Sequence, residues 1–192
     1  MIRPRCTQAP TGAAAEAARM HRAAVPVIET ARLTLRAPRI EDLALWTEIF
    51  TGPLSAGIGG PYTPEDAWTE FSYYTAGWML HGHGLWSVER RADDVLLGFV
   101  HLGLEWDDDE PELGYLFGAH AHGQGYATEA AAAARDHGFT LLDSFVSYVD
   151  PANAASNRLA EALGATRDAG AEDAIRKAEG DAPHVWRHRR AR

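Results

Sequence analysis

The chain is nearly without two residue types on which many sites depend: it has one cysteine, Cys6, and one lysine, Lys177. A lone cysteine makes no internal disulfide, which fits a reducing compartment, so a cytoplasmic location is expected. A single lysine excludes a lysine-lined phosphate site. No apolar run approaches the roughly 20 residues that cross a membrane, so no membrane partner is expected. Residues 1–24 carry arginines and alanines without a compact apolar stretch, and do not read as a secretory signal. Several catalytic signatures are missing too. No G-K-[ST] completes a Walker loop, G-x-G-x-x-G fails at Thr128, and there is no G-x-S-x-G elbow.

Positive charge is scarce except at the ends. The formal net charge is −9; residues 1–26 sum to +3 and 183–192 to +4, which leaves −16 on residues 27–182. An acidic body argues against nucleic acid, which is held by a basic face. It mildly favours a cationic or amine-bearing partner, and it equally serves solubility.

The length suits one domain with a sizeable core. We expect a flexible lead-in over 1–25, with a helical turn around Ala13 to Met20, and a single domain over 26–192. Alternation in VIETARLTLRAP (27–38) predicts one strand with Leu33 and Leu35 on one face and Arg32, Thr34 and Arg36 on the other. EDLALWTEIF (41–50) predicts an amphipathic helix with Leu43, Trp46 and Phe50 along one stripe. TGPLSAGIGGPYTP (51–64) reads as a loop. Thr63 caps a helix over about 65–80, with Pro64 at its first position and Asp66 three residues on. LWSVER, LLGFVHLGLEW and ELGYLFG then predict an antiparallel meander with turns at RADD and DDDEP. An alanine-rich helix ending near Gly138 follows, then the strand DSFVSYVD and a helix NAASNRLAEALG closed by Gly164. The acidic segment 168–181 reads as a loop, and HVWRHRR as a last strand.

The segment GAHAHGQGYATEAAAAARDHGF (118–139) carries the chemistry. Glycine at the mouth of a helix costs backbone entropy, so Gly123 and Gly125 suggest something that approaches the backbone closely. A helix N-terminus has unpartnered N–H groups and a partial positive charge, and phosphates bind there. An acidic protein could thus hold an anion with backbone donors. A G-x-G turn alone serves packing as readily. Thr128 and Glu129 are explained by capping and dipole complementation. His81-Gly-His83 and His120-Ala-His122 lack the rest of a ligand set, so no metal is expected. His101 reads as a satisfied core or face residue within a strand.

Four segments together resemble the GNAT acetyltransferase superfamily, in its branch of ribosomal-protein alanine N-acetyltransferases (RimJ/RimL type). IETARLTLRAPRIEDL resembles the opening strand and helix, and LLGFVHL a core strand. ELGYLFGAHAHGQGYATEA resembles the pyrophosphate loop and central helix, commonly E-x-G-Y…G-x-G-Y-A-T-E-A. DPANAASNRLAEALGA resembles the N-x-x-S…E-x-L-G block. The resemblance spans about 27–190. It implies an α/β (α+β) fold with a mixed, mostly antiparallel sheet of about six to seven strands flanked by helices. The fourth and fifth strands, ELGYLFG and DSFVSYVD, are expected to splay apart around acetyl-CoA.

By that resemblance the pyrophosphate would meet the amides of Gly123, Gln124, Gly125, Tyr126 and Ala127, with His122 beside them. Pantetheine would run along Leu116 and Phe117, and Asn153 and Ser156 would meet the CoA arm from the other side. Three departures stand out: His120 replaces a frequent Gln or Arg, Ala160 occupies the position of a frequent tyrosine proton donor, and Ala162 and Ala165 replace Lys and Phe. The implied activity is N-acetyltransfer from acetyl-CoA to a primary amine: a protein N-terminus, an amino acid or a small amine. An alkyl amine is protonated at neutrality, so a base must take its proton. Glu112 matches the family's acid, with Glu105 the runner-up, and a backbone N–H near Leu116 would polarise the carbonyl. With no tyrosine at position 160, Ser156 or water would protonate the leaving thiolate. Of the aromatic stripe Trp46, Phe50, Trp68, Phe71 and Trp78, one or two residues would line the acceptor pocket. The alternatives are a different acyl-CoA, or a non-catalytic acyl-CoA-binding or partner-binding protein. A monomer or homodimer is expected.

Overall fold

A computed structural model describes residues 4–106 and 108–190. Met1–Arg3 of the lead-in and Asp107 of the DDDEP turn lie outside the described residues. The elements run α1 (Gly12–Arg22), β1 (Ile28–Glu29), β2 (Leu33–Arg36), α2 (Leu43–Thr51), α3 (Pro64–Leu80), β3 (Leu85–Arg90), β4 (Val95–Gly103) and β5 (Glu112–Phe117). They continue with α4 (Tyr126–Leu141), β6 (Ser144–Val149), α5 (Ala154–Ala162), β7 (Thr166–Arg167), α6 (Ala169–Glu179) and β8 (His184–Arg189). One eight-stranded sheet has the order β1-β2-β3-β4-β5-β6-β8-β7. Every neighbouring pair is antiparallel except β5 and β6.

The sheet exceeds the expected six to seven strands for two local reasons. Residues 27–38 form a hairpin, not one strand, because Thr30 turns the chain: its N–H donates to the Leu33 carbonyl (2.9 Å) and its hydroxyl accepts the Leu33 N–H (2.9 Å). At the other edge, Thr166–Arg167 pairs with β8. The segment 168–181 is helix α6, not a loop. Asp168 caps it by accepting the Ala171 N–H (3.1 Å), and Gly180 ends it in the left-handed conformation. Helix α4 runs past Gly138 to Leu141. Gly138 sits inside it because a Cβ there would lie 2.9 Å from a Leu102 methyl and 3.0 Å from the Phe145 ring.

Side chains alternate across the sheet, and each face builds its own core. On one face Leu33, Leu35, Trp86, Leu102, Leu113 and Phe145 pack with Ala130, Ala131 and Ala134 of α4; the alanines let that helix lie close to the strands. On the other, Trp46 stacks on Phe50 at 4.4 Å and meets Phe99 edge-on at 5.0 Å, with Phe71 and Tyr74 of α3 beside it. Burial of such side chains stabilises by about 1.5–3 kcal/mol each. The Thr63 cap forms as a full capping box, with Thr63 Oγ1 accepting the Asp66 N–H (3.1 Å) and Thr63 N–H donating to Asp66 (2.9 Å). Arg36, expected on the polar face, is buried. Its burial opposes the charge, but Asp42 (2.7 Å) and Glu89 hold the guanidinium protonated.

Candidate active site

Strands β5 and β6 pair at a single register, Glu112 with Val146. Beyond Glu112 they part, and a cleft of about 840 Å³ opens between them. Ser147 Oγ bridges its walls by donating to the Leu113 carbonyl (2.6 Å), while His122 Nε2 donates to the Phe117 carbonyl (2.9 Å) on the β5 side. Leu116 and Phe117 both line the cleft, although the Phe117 ring is buried in the α4-side core.

One end of the cleft is the mouth of α4. Gly123 (φ +72°) and Gly125 (φ +76°) take left-handed backbone, which side-chain-bearing residues adopt at a cost of roughly 1–2 kcal/mol. A Cβ on Gly123 would meet nothing within 4 Å, so packing does not explain that glycine. The first bond from α4 back along the chain joins the Glu129 N–H to the Gly125 carbonyl (3.1 Å), so the preceding amides have no intrahelical partner. Gln124 turns its side chain to the loop, its amide donating to the His120 carbonyl (2.9 Å). Tyr126 is buried beneath the Arg32 guanidinium, leaving its backbone N–H, not its phenol, for a ligand. Glu129 clamps this mouth to the β1–β2 turn. It accepts from Thr30 Oγ1 (2.6 Å), from the Arg32 N–H (2.9 Å) and from Arg32 Nε (2.6 Å). Burial opposes its charge, but those donors prevail and hold its carboxyl below the usual range.

Across the cleft lies α5. Asn153 caps it, its side chain accepting the Ser156 N–H (3.1 Å). The Ser156 carbonyl accepts from the Tyr115 phenol (3.1 Å). Burial pushes that phenol up to about 12, so it stays protonated at neutral pH. Ala160 is fully buried and does not line the cleft.

The opposite end is acidic. Glu112 is half-buried at the β5–β6 junction, and its Oε1 accepts the Tyr148 N–H (3.1 Å). His101, on β4 beside it and expected as a satisfied core or face residue, is buried but not satisfied. It is 7% exposed, its Nε2 has no partner, and that atom lies 3.9 Å from Glu112 Oε2. The Tyr74 ring lies against the imidazole at 4.5 Å, tilted by 30°. The signal was in ELGY: a Cβ at Gly114 would fall 2.1 Å from His101 Cε1, so the ring occupies the space that this glycine leaves. Glu105, Asp108 and Glu70 complete this end, together with Tyr62, Tyr74 and Phe50 of the aromatic stripe. Tyr74 donates its hydroxyl to Glu105, whose own N–H donates to Asp108 (2.6 Å).

Two histidines of the H-x-H pairs serve the fold. His83 bonds the Leu102 carbonyl (2.8 Å) and His120 the Leu96 carbonyl (3.0 Å). Among the described residues no group of three or more His, Cys, Asp or Glu gathers as metal ligands.

The sequence pattern of the acetyltransferase (GNAT) domain matches residues 32–166, from the clamp at Arg32 to the strand after α5. The chain belongs to the GNAT acetyltransferase family. This GNAT protein is similar to an acetyltransferase from Agrobacterium tumefaciens (strain C58): 34% identity, 86% of this chain and 95% of that one, TM-score 0.79. It is also 34% identical over 88 residues to the protein YkkB of Bacillus subtilis (strain 168). That match covers 44% of this chain and about half, 51%, of YkkB. A ribosomal L7/L12 alpha-N-protein acetyltransferase, RimL, in complex with CoA shares the fold at 16% identity and TM-score 0.66, over 85% of this chain and 98% of that one. No described helix is long and apolar enough to cross a membrane.

Proposed function

We propose that this GNAT protein transfers the acetyl group of acetyl-CoA to a primary amine. The observation that carries the reading is the single-register junction of β5 and β6. It opens one cleft from the unpartnered amides of α4 to Glu112 and His101. The N–H groups of Gly123 to Ala127 would hold the pyrophosphate, with the helix dipole favouring its charge. Their fit is supported by the open space at Gly123. The separated edge of β5, near Leu116 and Phe117, would carry the pantetheine, and Asn153 and Ser156 of α5 would close its other side.

At the thioester, the amine nitrogen forms the new C–N bond and the C–S bond breaks. Glu112 takes the proton of the incoming ammonium, with His101 as its neighbour and relay, and a backbone N–H near Leu116 steadies the carbonyl oxygen. Ser156 delivers a proton to the leaving sulfur; the Tyr115 phenol, bonded to the same residue, is a second proton source in place of the family tyrosine. These roles are tested together by titrating acetyl-CoA and S-acetylpantetheine, which lacks the pyrophosphate, into the protein calorimetrically and following free-thiol release with an amine panel. Binding weakened by loss of the pyrophosphate, and thiol release that depends on amine, support the reading. No binding at millimolar acetyl-CoA refutes it. The buried Ala160 favours a second reading, a GNAT-like protein that binds an acyl-CoA without turnover: it predicts binding with no thiol released by any amine or acyl-CoA.

A further inference from the structure

The acceptor end of the cleft has a feature that amine acetylation alone does not require. Four carboxylates, Glu70, Glu105, Asp108 and Glu112, line it. They come from α3, from the β4–β5 connection and from the start of β5, and one glutamate suffices to accept one proton. Among the described residues the only Arg or Lys lining the cleft is Arg158, on α5, which belongs to the other wall. The acids are fixed rather than loose: Tyr74 holds Glu105, and Glu105 holds Asp108 through its backbone.

The crowding is registered at two of them, Glu70 and Asp108. Burial raises the Glu70 carboxyl, and Glu105 and Asp66 raise it further. Burial also pushes Asp108 up to about 6, with Glu112 and Glu105 adding to the shift against the backbone bond from Glu105. Carboxylates in this state gain when a cation arrives.

An independent observation points to the same place. The His101 imidazole is more than nine-tenths buried and Nε2 has no partner. At 3.9 Å from Glu112 Oε2 it is too far for a direct bond, a separation that one nitrogen bearing N–H groups can bridge. Tyr62, Tyr74 and Phe50 offer aromatic surface to the aliphatic stem of a cation.

We infer that the acceptor is a diamine or oligoamine. Its reacting nitrogen sits between Glu112 and His101, and a second ammonium is held by Glu70, Glu105 and Asp108. Acids on every side of the reacting amine disfavour an acceptor with a carboxylate next to it, such as a free α-amino acid. This inference rests on the acetyltransfer reading for which nitrogen reacts, but the subsite itself is a binding claim.

The test compares butylamine, 1,4-diaminobutane, a linear triamine and a peptide with N-terminal alanine as acceptors at saturating acetyl-CoA. We expect the diamine and triamine to exceed butylamine by about tenfold or more in kcat/KM, chiefly through KM. Glu70→Gln with Asp108→Asn should narrow that ratio toward one. Both changes keep shape, and the second still offers an oxygen to the Glu105 N–H. Equal efficiency for butylamine and the diamine, a ratio unmoved by the double substitution, or preference for the peptide would overturn the subsite while leaving acetyltransfer intact. Absence of turnover with all four would count against acetyltransfer. The subsite is then read by calorimetry on the CoA-bound protein, where tighter binding of the diamine than of butylamine supports it and equal binding refutes it.

Discussion

Replacing Gly114 by alanine should cost more than an alanine in a strand ordinarily does, and the cost should fall on His101. The new Cβ would sit 2.1 Å from His101 Cε1 and 2.8 Å from both ring nitrogens. Carbon contacts are optimal near about 3.5–4 Å, so the ring must withdraw by more than about 1 Å. Tyr74 lies against it at 4.5 Å, so it has little room to do so. Overpacking of this kind costs about 1–3 kcal/mol. At about 2–4 °C per kcal/mol for a chain of this size, the melting temperature should fall by several degrees. Displacing the ring from Glu112 should also lower kcat, by about tenfold or more if His101 relays the proton. Calorimetric melting and thiol-release kinetics measure the two effects separately. Combining Gly114→Ala with His101→Ala empties the space, so stability should return in part while turnover does not. An alanine at 114 with unchanged melting would refute the packing argument. A double variant with full turnover would remove His101 from the chemistry.

Three further outcomes are expected. Glu112→Gln keeps an oxygen for the Tyr148 N–H, so acetyl-CoA affinity should hold while kcat falls about 10²-fold or more; a wild-type rate would pass the base to Glu105 or His101. Gly125→Val puts a β-branched residue at φ +76°, with its Cβ 3.5 Å from Arg32, and should weaken CoA binding at least about tenfold by calorimetry; unchanged affinity would mean that the loop does not carry the pyrophosphate. His188 is fully enclosed beside Ser147 and stacked on Phe145, and burial, with Arg135 adding, lowers it to about 4. The unfolded chain therefore binds a proton that the folded one refuses. Its contribution is present above the unfolded value of about 6.5 and is lost as pH falls toward 4, amounting to about 3 kcal/mol. His188→Gln should flatten urea-unfolding stability over that window, and an unchanged slope would rule the site out.

Local signals carried much of the fold. Thr63, Pro64 and Asp66 announced a capping box, the Leu43–Trp46–Phe50 stripe announced a helix face, and the meander fell where its turns were read. Helix α6 escaped because its segment is acidic and poor in large apolar residues and its buried anchor is not apolar: Glu172 is enclosed by pairing with Arg167 (2.6 Å) and by accepting the Val185 N–H (3.0 Å). The hairpin at Thr30 escaped because one threonine, not a glycine or proline, makes the turn.

The same division holds at the site. Sequence by itself determined the glycine mouth of α4, because positive φ and unpartnered amides are properties of a short stretch of chain. It also marked Glu112 through the motif around it. Only tertiary structure decided what surrounds that glutamate. His101 lies on the neighbouring strand 11 positions away, opposite Gly114, and Glu70 arrives from α3. A histidine is satisfied or stranded according to what crosses its ring, and that depends on strand register and helix packing, which no local pattern encodes.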